Sequence, residues 1–351
     1  MQPRAWPAGL RLAPGNGVIM RKFLGLESEP MKLVILIPAY NEGEAIGLVI
    51  NTLPKSLPGI TEIIPLVVDD GSKDNTAAVA ADAGAMVVRH PYNHGLGKAF
   101  STGLTKALEL GADVLVNIDA DGQFNPHDIQ ALLDPILSGR ADFVSGDRFS
   151  KIDGSLVHPE YMSRIKFWGN QRMSALVSML ARRRFVDVSC GFRAYSREAM
   201  LRLNLTGSFT YTQESFLDLA NKGLVIETVP VDVRYYPERQ SKMAGSILKY
   251  AWQTVKIIFR AYRDYSPLRF FGVLGVFPGA LGIVLGLFVM VHYLLNGAFT
   301  PYKAVGLAAI YLVSLAIILW IVGLLADMFV RVRLNQEKIL YYEKSRKYFG
   351  E

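Results

Sequence analysis

Between Met31 and about Phe149, short β-rich apolar runs alternate with segments of helical spacing, which predicts parallel strands joined by right-handed helical crossovers. Strands are expected at residues 32–37, 62–68, 85–89, 114–118 and 141–145. Helices are expected at 42–53, 74–83, 97–110 and 126–137. Asn125 and Pro126 supply a cap and a first helical position, and Asn41 with Glu44 resembles a capping box. From Ser150 to about Val233 a basic helical stretch, residues 161–184, and shorter elements complete the globular part.

The pattern then changes. Residues 244–262 place Leu248, Trp252, Val255, Phe259 and Tyr262 on one helical face and Lys249, Gln253, Lys256, Arg260 and Arg263 on another. This suits a helix lying in a membrane interface, with a helix packed on the globular part as the alternative. Residues 270–295 and 304–326 contain no Asp, Glu, Lys or Arg, and each run is long enough to cross a bilayer. The expected organisation is a disordered extension over 1–30, a globular domain over 31–243, an amphipathic helix over 244–266, a transmembrane hairpin over 267–330 and a tail over 331–351. Met20 and Met31 are alternative starts.

Arg260, Arg263 and Arg269 precede the hairpin and Arg331, Arg333 and Lys338 follow it, whereas its loop carries only Lys303. The expectation is an integral membrane protein with two spans, its globular domain and both termini cytoplasmic. Gly275, Gly279 and Gly282 would permit close helix packing, and with it self-association through the hairpin.

Composition sharpens this picture. An apolar fraction of 51% and a mean hydropathy of +0.23 are high for a wholly soluble chain of 351 residues. The net charge of +7 suits anionic lipid headgroups or nucleic acid, and the crowding of basic residues beside the apolar spans decides for the lipid bilayer. A single cysteine, Cys190, excludes an intramolecular disulfide and a CxxC metal site. No G-x-G-x-x-G follows the first strand, and Gly95-Leu96-Gly97-Lys98 is too short for a P-loop.

Three expected strands end in polar or acidic residues: Pro38-Ala39-Tyr40-Asn41-Glu42, Asp69-Asp70-Gly71-Ser72-Lys73-Asp74-Asn75-Thr76 and Asp119-Ala120-Asp121-Gly122-Gln123. Parallel strands would bring these ends to one sheet edge, where open α/β sheets bind ligands. Clustered like charges call for a cation or a donor-rich ligand, and hard oxygen donors suit Mg²⁺ or Mn²⁺.

Together these motifs resemble family 2 glycosyltransferases of the GT-A fold, specifically the polyprenyl-phosphate branch typified by dolichol-phosphate mannose synthase. The resemblance implies a doubly wound, mostly parallel sheet and metal-dependent transfer of a hexose from a nucleotide sugar to a polyprenyl phosphate, with inversion. GDP-mannose and UDP-glucose or UDP-GlcNAc are the implied donors. It places Pro38, Tyr40, Glu42, Asp69, Asp70, Lys98 and Asp119 around the nucleotide sugar, and Asp119, Asp121 and Gln123 on the metal. Gly146-Asp147-Arg148 and Tyr211-Thr212-Gln213-Glu214 resemble the acceptor segments, which makes Asp121, Arg148 and Glu214 the implied catalytic groups. Arg148, Arg239, Ser241 and Lys242 would grip the acceptor phosphate, with Arg234 an alternative to Arg239. Other readings are a processive polysaccharide synthase, for which Gln-x-x-Arg-Trp and further spans are lacking, and a membrane scaffold that retains the fold without catalysis.

Overall fold

A computed structural model describes residues 31–151, 153, 155–205, 211–234, 262–263 and 266–350. A seven-stranded sheet forms its centre, in the order β3-β2-β1-β4-β6-β5-β7. The strands are β1 (Lys32–Ala39), β2 (Glu62–Asp69), β3 (Met86–Arg89), β4 (Val114–Asn117), β5 (Phe143–Asp147), β6 (Arg193–Ser196) and β7 (Ile226–Pro230). β1 is flanked on both sides, and its residues from Leu33 to Ala39 are all buried. That burial is why the run reads as continuously apolar.

All neighbouring strands are parallel except β6, which runs antiparallel to both β4 and β5. The crossovers are α1 (Ile46–Asn51), α2 (Thr76–Asp82), α3 (Leu96–Glu109) and α4 (Ile129–Leu137), and the last follows a 3₁₀ turn at Pro126–Asp128. Three further helices, α5 (Arg164–Ala181), α6 (Arg197–Arg202) and α7 (Tyr211–Asn221), complete the globular unit.

Asn125 caps as expected, its Oδ1 accepting from His127 N at 3.2 Å. The Asn41–Glu44 capping box does not form. α1 starts at Ile46, with Ala45 in the cap position and no side-chain cap. Asn41 instead adopts a left-handed backbone (φ 53°), its N–H donates to Ser72 Oγ at 2.9 Å, and its Oδ1 accepts from Lys73 N at 2.8 Å. The groups of this turn are taken up by the loop after β2.

α8 (Pro267–Asn296) and α9 (Lys303–Phe349) are long and apolar enough to cross a membrane, with mean hydropathies of 2.4 and 2.7 over their most apolar windows. Only 28% and 11% of those windows are buried, so they are not core helices of a soluble domain. Gly275, Gly279 and Gly282 face α9 of the same chain: a Cβ on them would meet Trp320 Nε1 at 2.8 Å, the Ala316 Cβ at 3.1 Å and Val313 Cγ2 at 2.9 Å. The glycine stripe is thus spent within the hairpin. The expected interfacial helix falls almost wholly outside the described residues.

The described residues up to 234 and those from Tyr341 onward form one compact unit, and those from 262 to Leu340 form another. The expected tail is the helical end of α9, and its residues from Tyr341 onward pack on α6. Tyr341 Oη donates to Glu198 Oε2 at 2.9 Å. Lys344 Nζ donates to Leu201 O, Leu203 O and Asn204 Oδ1 at 3.4, 3.3 and 2.9 Å. A cation set on the last carbonyls of α6 complements that helix end.

Candidate active site

Because β1, β2 and β4 are parallel, their C-terminal ends share one edge of the sheet, and each carries one of the motifs. Pro38 is buried opposite Val68, and the β1–β4 pairing ends at Leu36↔Asn117, so its missing N–H interrupts no ladder to β4. Tyr40 and Glu42, both half-buried, follow it. Glu42 N donates to Thr76 Oγ1 at 2.9 Å and Gly43 N to Asp74 Oδ2 at 3.1 Å. Ser72, Asp74 and Thr76 therefore set the backbone that presents Glu42.

Asp69 and Asp70 lie buried at the end of β2 and are engaged by the protein itself. Asp69 Oδ1 accepts from Ser72 N at 3.0 Å, and its Oδ2 lies 3.1 Å from Arg89 Nε. Asp70 takes His90 Nδ1 at 2.7 Å, His94 N at 3.0 Å and Gly95 N at 2.7 Å. These bonds brace the loop leading into α3. Gly71 is required there, because its φ is 74° and a Cβ would meet the Tyr92 carbonyl carbon at 2.5 Å. Lys98 stands exposed in the first turn of α3.

The third motif carries the densest charge. Burial, then the neighbouring Asp121 carboxylate, pushes the Asp119 carboxyl up to about 7; Arg148 and Arg193 pull it back, and Glu42 adds to the push. Three carboxylates and two guanidiniums thus share one field. Asp121 Oδ1 accepts from Gln123 N at 3.0 Å, which fixes the turn at Gly122. Gly191 closes over Asp119, since a Cβ there would meet both carboxylate oxygens at 2.7 Å.

Arg148 follows β5 and is clasped by buried Asp187, with Nε 2.7 Å from Oδ2 and Nη2 3.0 Å from Oδ1. Burial alone would raise the Asp187 carboxyl, but the Arg148 charge and its hydrogen bonds hold it below the usual carboxylate range. Lys166 on α5 senses the same two sides. Burial and the Arg148 charge lower its ammonium pKa, and Asp121 opposes them.

Arg193, fully buried on β6, donates to Cys190 O at 2.7 Å, Val188 O at 2.9 Å and Thr212 O at 2.7 Å. It ties the 188–190 segment to the start of α7, where Gln213 is buried and Glu214 half-buried. Tyr211 stacks on Phe100 at 4.2 Å, its oxygen accepts from Asn117 Nδ2 at 3.0 Å, and burial with Asp119 nearby keeps its hydroxyl protonated. Beyond β7, Arg234 N donates to Gln123 O at 2.9 Å, so the chain passes beside the third motif. Arg239, Ser241 and Lys242 lie outside the described residues.

The structure thus gathers Glu42, Asp119, Asp121 and Arg148, all expected from the sequence. Asp187, Lys166, Gly191 and Arg193 were not foreseen. Only Arg193 left a visible signal, a charge inside the apolar run from Phe192 to Tyr195.

A divalent metal fits this donor set. Among the described residues no three His, Cys, Asp or Glu side chains form a closed cage. Burial and the Asp121 carboxylate nevertheless hold the Asp119 carboxyl up to about 7 against the pull of Arg148 and Arg193, a load that a bound cation would relieve. A metal held by one or two carboxylates and completed by substrate phosphates matches this incomplete shell.

Residues 34–203 match the family described as glycosyl transferase family 2. A UDP-N-acetylglucosamine–dolichyl-phosphate N-acetylglucosaminyltransferase of Methanococcus voltae is 33% identical over 223 residues, covering 58% of this chain and 86% of that protein. The chain belongs to glycosyltransferase family 2. A polyprenol monophosphomannose synthase of Mycolicibacterium smegmatis is 31% identical to this glycosyltransferase over 239 residues, with 63% and 84% covered. Among solved structures, glucosyl-3-phosphoglycerate synthase of Mycobacterium tuberculosis, in complex with Mn²⁺, UDP and phosphoglyceric acid, superposes with a TM-score of 0.50 at 20% identity, covering 73% of this chain and 84% of that one. That likeness concerns the GT-A fold. The family match takes in Glu42, Asp119, Asp121, Arg148, Asp187 and Arg193 of the glycosyltransferase and ends before Glu214.

Proposed function

We propose that this glycosyltransferase moves one hexose from a nucleoside-diphosphate sugar to a polyprenyl phosphate, inverting the anomeric centre. The observation that carries the reading is the shared field of Asp119, Asp121, Glu42, Arg148 and Arg193, which sets carboxylates for a metal–diphosphate beside an arginine for a phosphate. Two relatives named for transfer to dolichyl or polyprenol phosphate support the acceptor, one with N-acetylglucosamine and one with mannose. GDP-mannose, UDP-glucose and UDP-GlcNAc are the donors to test.

Asp119, Asp121 and Gln123 would hold Mg²⁺ or Mn²⁺, which when bound neutralises the diphosphate and eases its departure. Pro38, Tyr40 and Glu42 line the donor side, with Asp69 and Asp70 bracing the adjoining loop and Lys98 at the start of α3. Arg148, held rigid by Asp187, meets the acceptor phosphate, assisted by Arg239, Ser241 and Lys242. A phosphate monoester is already anionic at neutral pH, so no strong base is needed. Its oxygen forms the new bond to the anomeric carbon, and the nucleoside diphosphate leaves with the electrons of the bond that breaks. Glu214 orients the acceptor or a sugar hydroxyl. Positive flanks on both sides of the hairpin support a cytoplasmic catalytic unit with both termini on the same side.

The test is release of nucleoside diphosphate by the reconstituted protein. Release should require both Mn²⁺ or Mg²⁺ and a polyprenyl phosphate, and should fall at least about 100-fold in Asp121→Ala. Release that proceeds without lipid phosphate, or survives that substitution, contradicts the reading.

A further inference from the structure

Asn117 and Arg193 face each other across the antiparallel pairing of β4 and β6, and direct partners in such a ladder carry their side chains on one face of the sheet. Both are fully buried. Each reaches the same two segments of the chain. Arg193 Nε and Nη2 donate to Cys190 O and Val188 O at 2.7 and 2.9 Å, and its Nη1 donates to Thr212 O at 2.7 Å. Asn117 Nδ2 donates to Gly191 O at 2.7 Å and to Tyr211 Oη at 3.0 Å. A backbone oxygen only accepts, so the amide nitrogen and not the amide oxygen faces Gly191. Asn117 Oδ1 is left buried with no hydrogen-bond partner among the described residues, a cost that packing alone gives no reason to bear.

The two bridged segments belong to different halves of the proposed site. Residues 187–191 clasp Arg148 through Asp187 at one end and close over Asp119 with Gly191 at the other. The start of α7 carries Gln213 and Glu214, the segment assigned to the acceptor. We propose that Asn117 is a positioning residue that couples these halves, so that a metal–nucleotide seated on Asp119 tightens the site for the lipid phosphate. The inference rests on the metal and acceptor assignments proposed above. A cation on Asp119 fixes Gly191 above it, the planar Asn117 amide carries that constraint to Tyr211, and the first turn of α7 is held in place. Arg193 spans the same gap through backbone oxygens and sets its width. Asn117 instead reaches the far end of a side chain, whose ring is stacked on Phe100 at 4.2 Å and so has little freedom to absorb the pull. Coupling between two binding events is reciprocal, so the lipid phosphate tightens the metal–nucleotide by the same factor.

The test uses the full chain in nanodiscs and reads binding rather than turnover. Calorimetry gives the affinity for farnesyl phosphate with and without Mn²⁺ and a nucleoside diphosphate, with UDP and GDP in separate arms. Relaxation of water protons gives the affinity for Mn²⁺. In the parent protein, Mn²⁺ with the nucleotide should tighten farnesyl phosphate at least about 5-fold. Tyr211→Phe removes the hydroxyl, keeps the ring on Phe100, and should abolish that gain while Mn²⁺ alone binds as in the parent. Asn117→Leu, similar in size, should abolish the gain and also weaken Mn²⁺ about 10-fold, because Gly191 loses its tie beside Asp119. Coupling retained in either folded variant overturns the proposal, even where the unfolding temperature falls, since a merely structural amide would lower stability and leave the coupling intact. Farnesyl phosphate bound without any coupling in the parent overturns it too, and leaves the proposed reaction standing. Failure of the parent to bind Mn²⁺ or farnesyl phosphate with either nucleotide overturns that reaction and the coupling with it.

Discussion

Arg148 and Asp187 meet through two parallel hydrogen bonds, 2.7 Å between Nε and Oδ2 and 3.0 Å between Nη2 and Oδ1, with the carboxylate fully buried. A two-armed pair fixes the plane of the guanidinium, which a lysine could not reproduce. Asp187→Ala removes the buried carboxylate that clasps this cation and should destabilise the globular unit by about 3–5 kcal/mol. Arg148→Lys should keep more stability but lose at least about 10-fold in turnover, because a point charge cannot hold a fixed plane. Thermal unfolding together with kcat separates the two effects.

Gly191 gives a cleaner probe of Asp119. Gly191→Ala places a methyl 2.7 Å from both Asp119 carboxylate oxygens, and the carboxylate must turn aside. Metal affinity should fall about 10–100-fold, as for a disturbed ligand environment, while the unfolding temperature moves little. Titration with Mn²⁺, followed by its paramagnetic relaxation of water, reads the change directly.

The pH dependence has a defined sign. Asp119, pushed up to about 7 when folded against 3.8 for an ordinary carboxyl, holds its proton more tightly in the folded state. Between those values the folded state binds the extra proton, so metal-free stability should fall as pH rises from 4 to 7. Saturating Mn²⁺ favours the deprotonated carboxylate and should remove that slope, as should Asp119→Asn. Asp187 acts in the opposite sense and lower down: its depressed carboxyl contributes stability above the ordinary value, lost as pH falls through the folded one. Melting curves at pH 5, 6 and 7 with and without Mn²⁺ check the pattern.

Lys344 offers a test outside the active site. Its ammonium caps the end of α6 through Leu201 O, Leu203 O and Asn204 Oδ1. Lys344→Ala should lower the stability of the globular unit by about 1.5–3 kcal/mol, the range for hydrogen bonds to a charged group. Hydrogen exchange at residues 197–204 should rise in parallel.

What the sequence disclosed follows from where the information is local. β1, β2 and β4 were legible because each apolar run ends abruptly in acids or a turn, and parallel pairing then places those ends together. β6 was not, because it is four residues long, antiparallel within a parallel pattern, and opens on the charged Arg193. The clasp on Arg148 joins residues 39 apart through Asp187, whose local context of Val186 and Val188 resembles any strand. The expected capping box failed because Asn41 found partners in the loop after β2, a competition invisible in its own neighbourhood. The docking of Tyr341 and Lys344 was hidden for the same reason: a charged helix end looks solvated until the carbonyls it caps are known.

Mass spectrometry of the lipid product tests the central claim most directly. With Mn²⁺, a panel of UDP- and GDP-hexoses and a polyprenyl phosphate, the reconstituted protein should yield the lipid phosphate bearing a single sugar, and Asp121→Asn should not. A polymer, a sugar attached elsewhere than on the phosphate, or no glycolipid with any donor would contradict it.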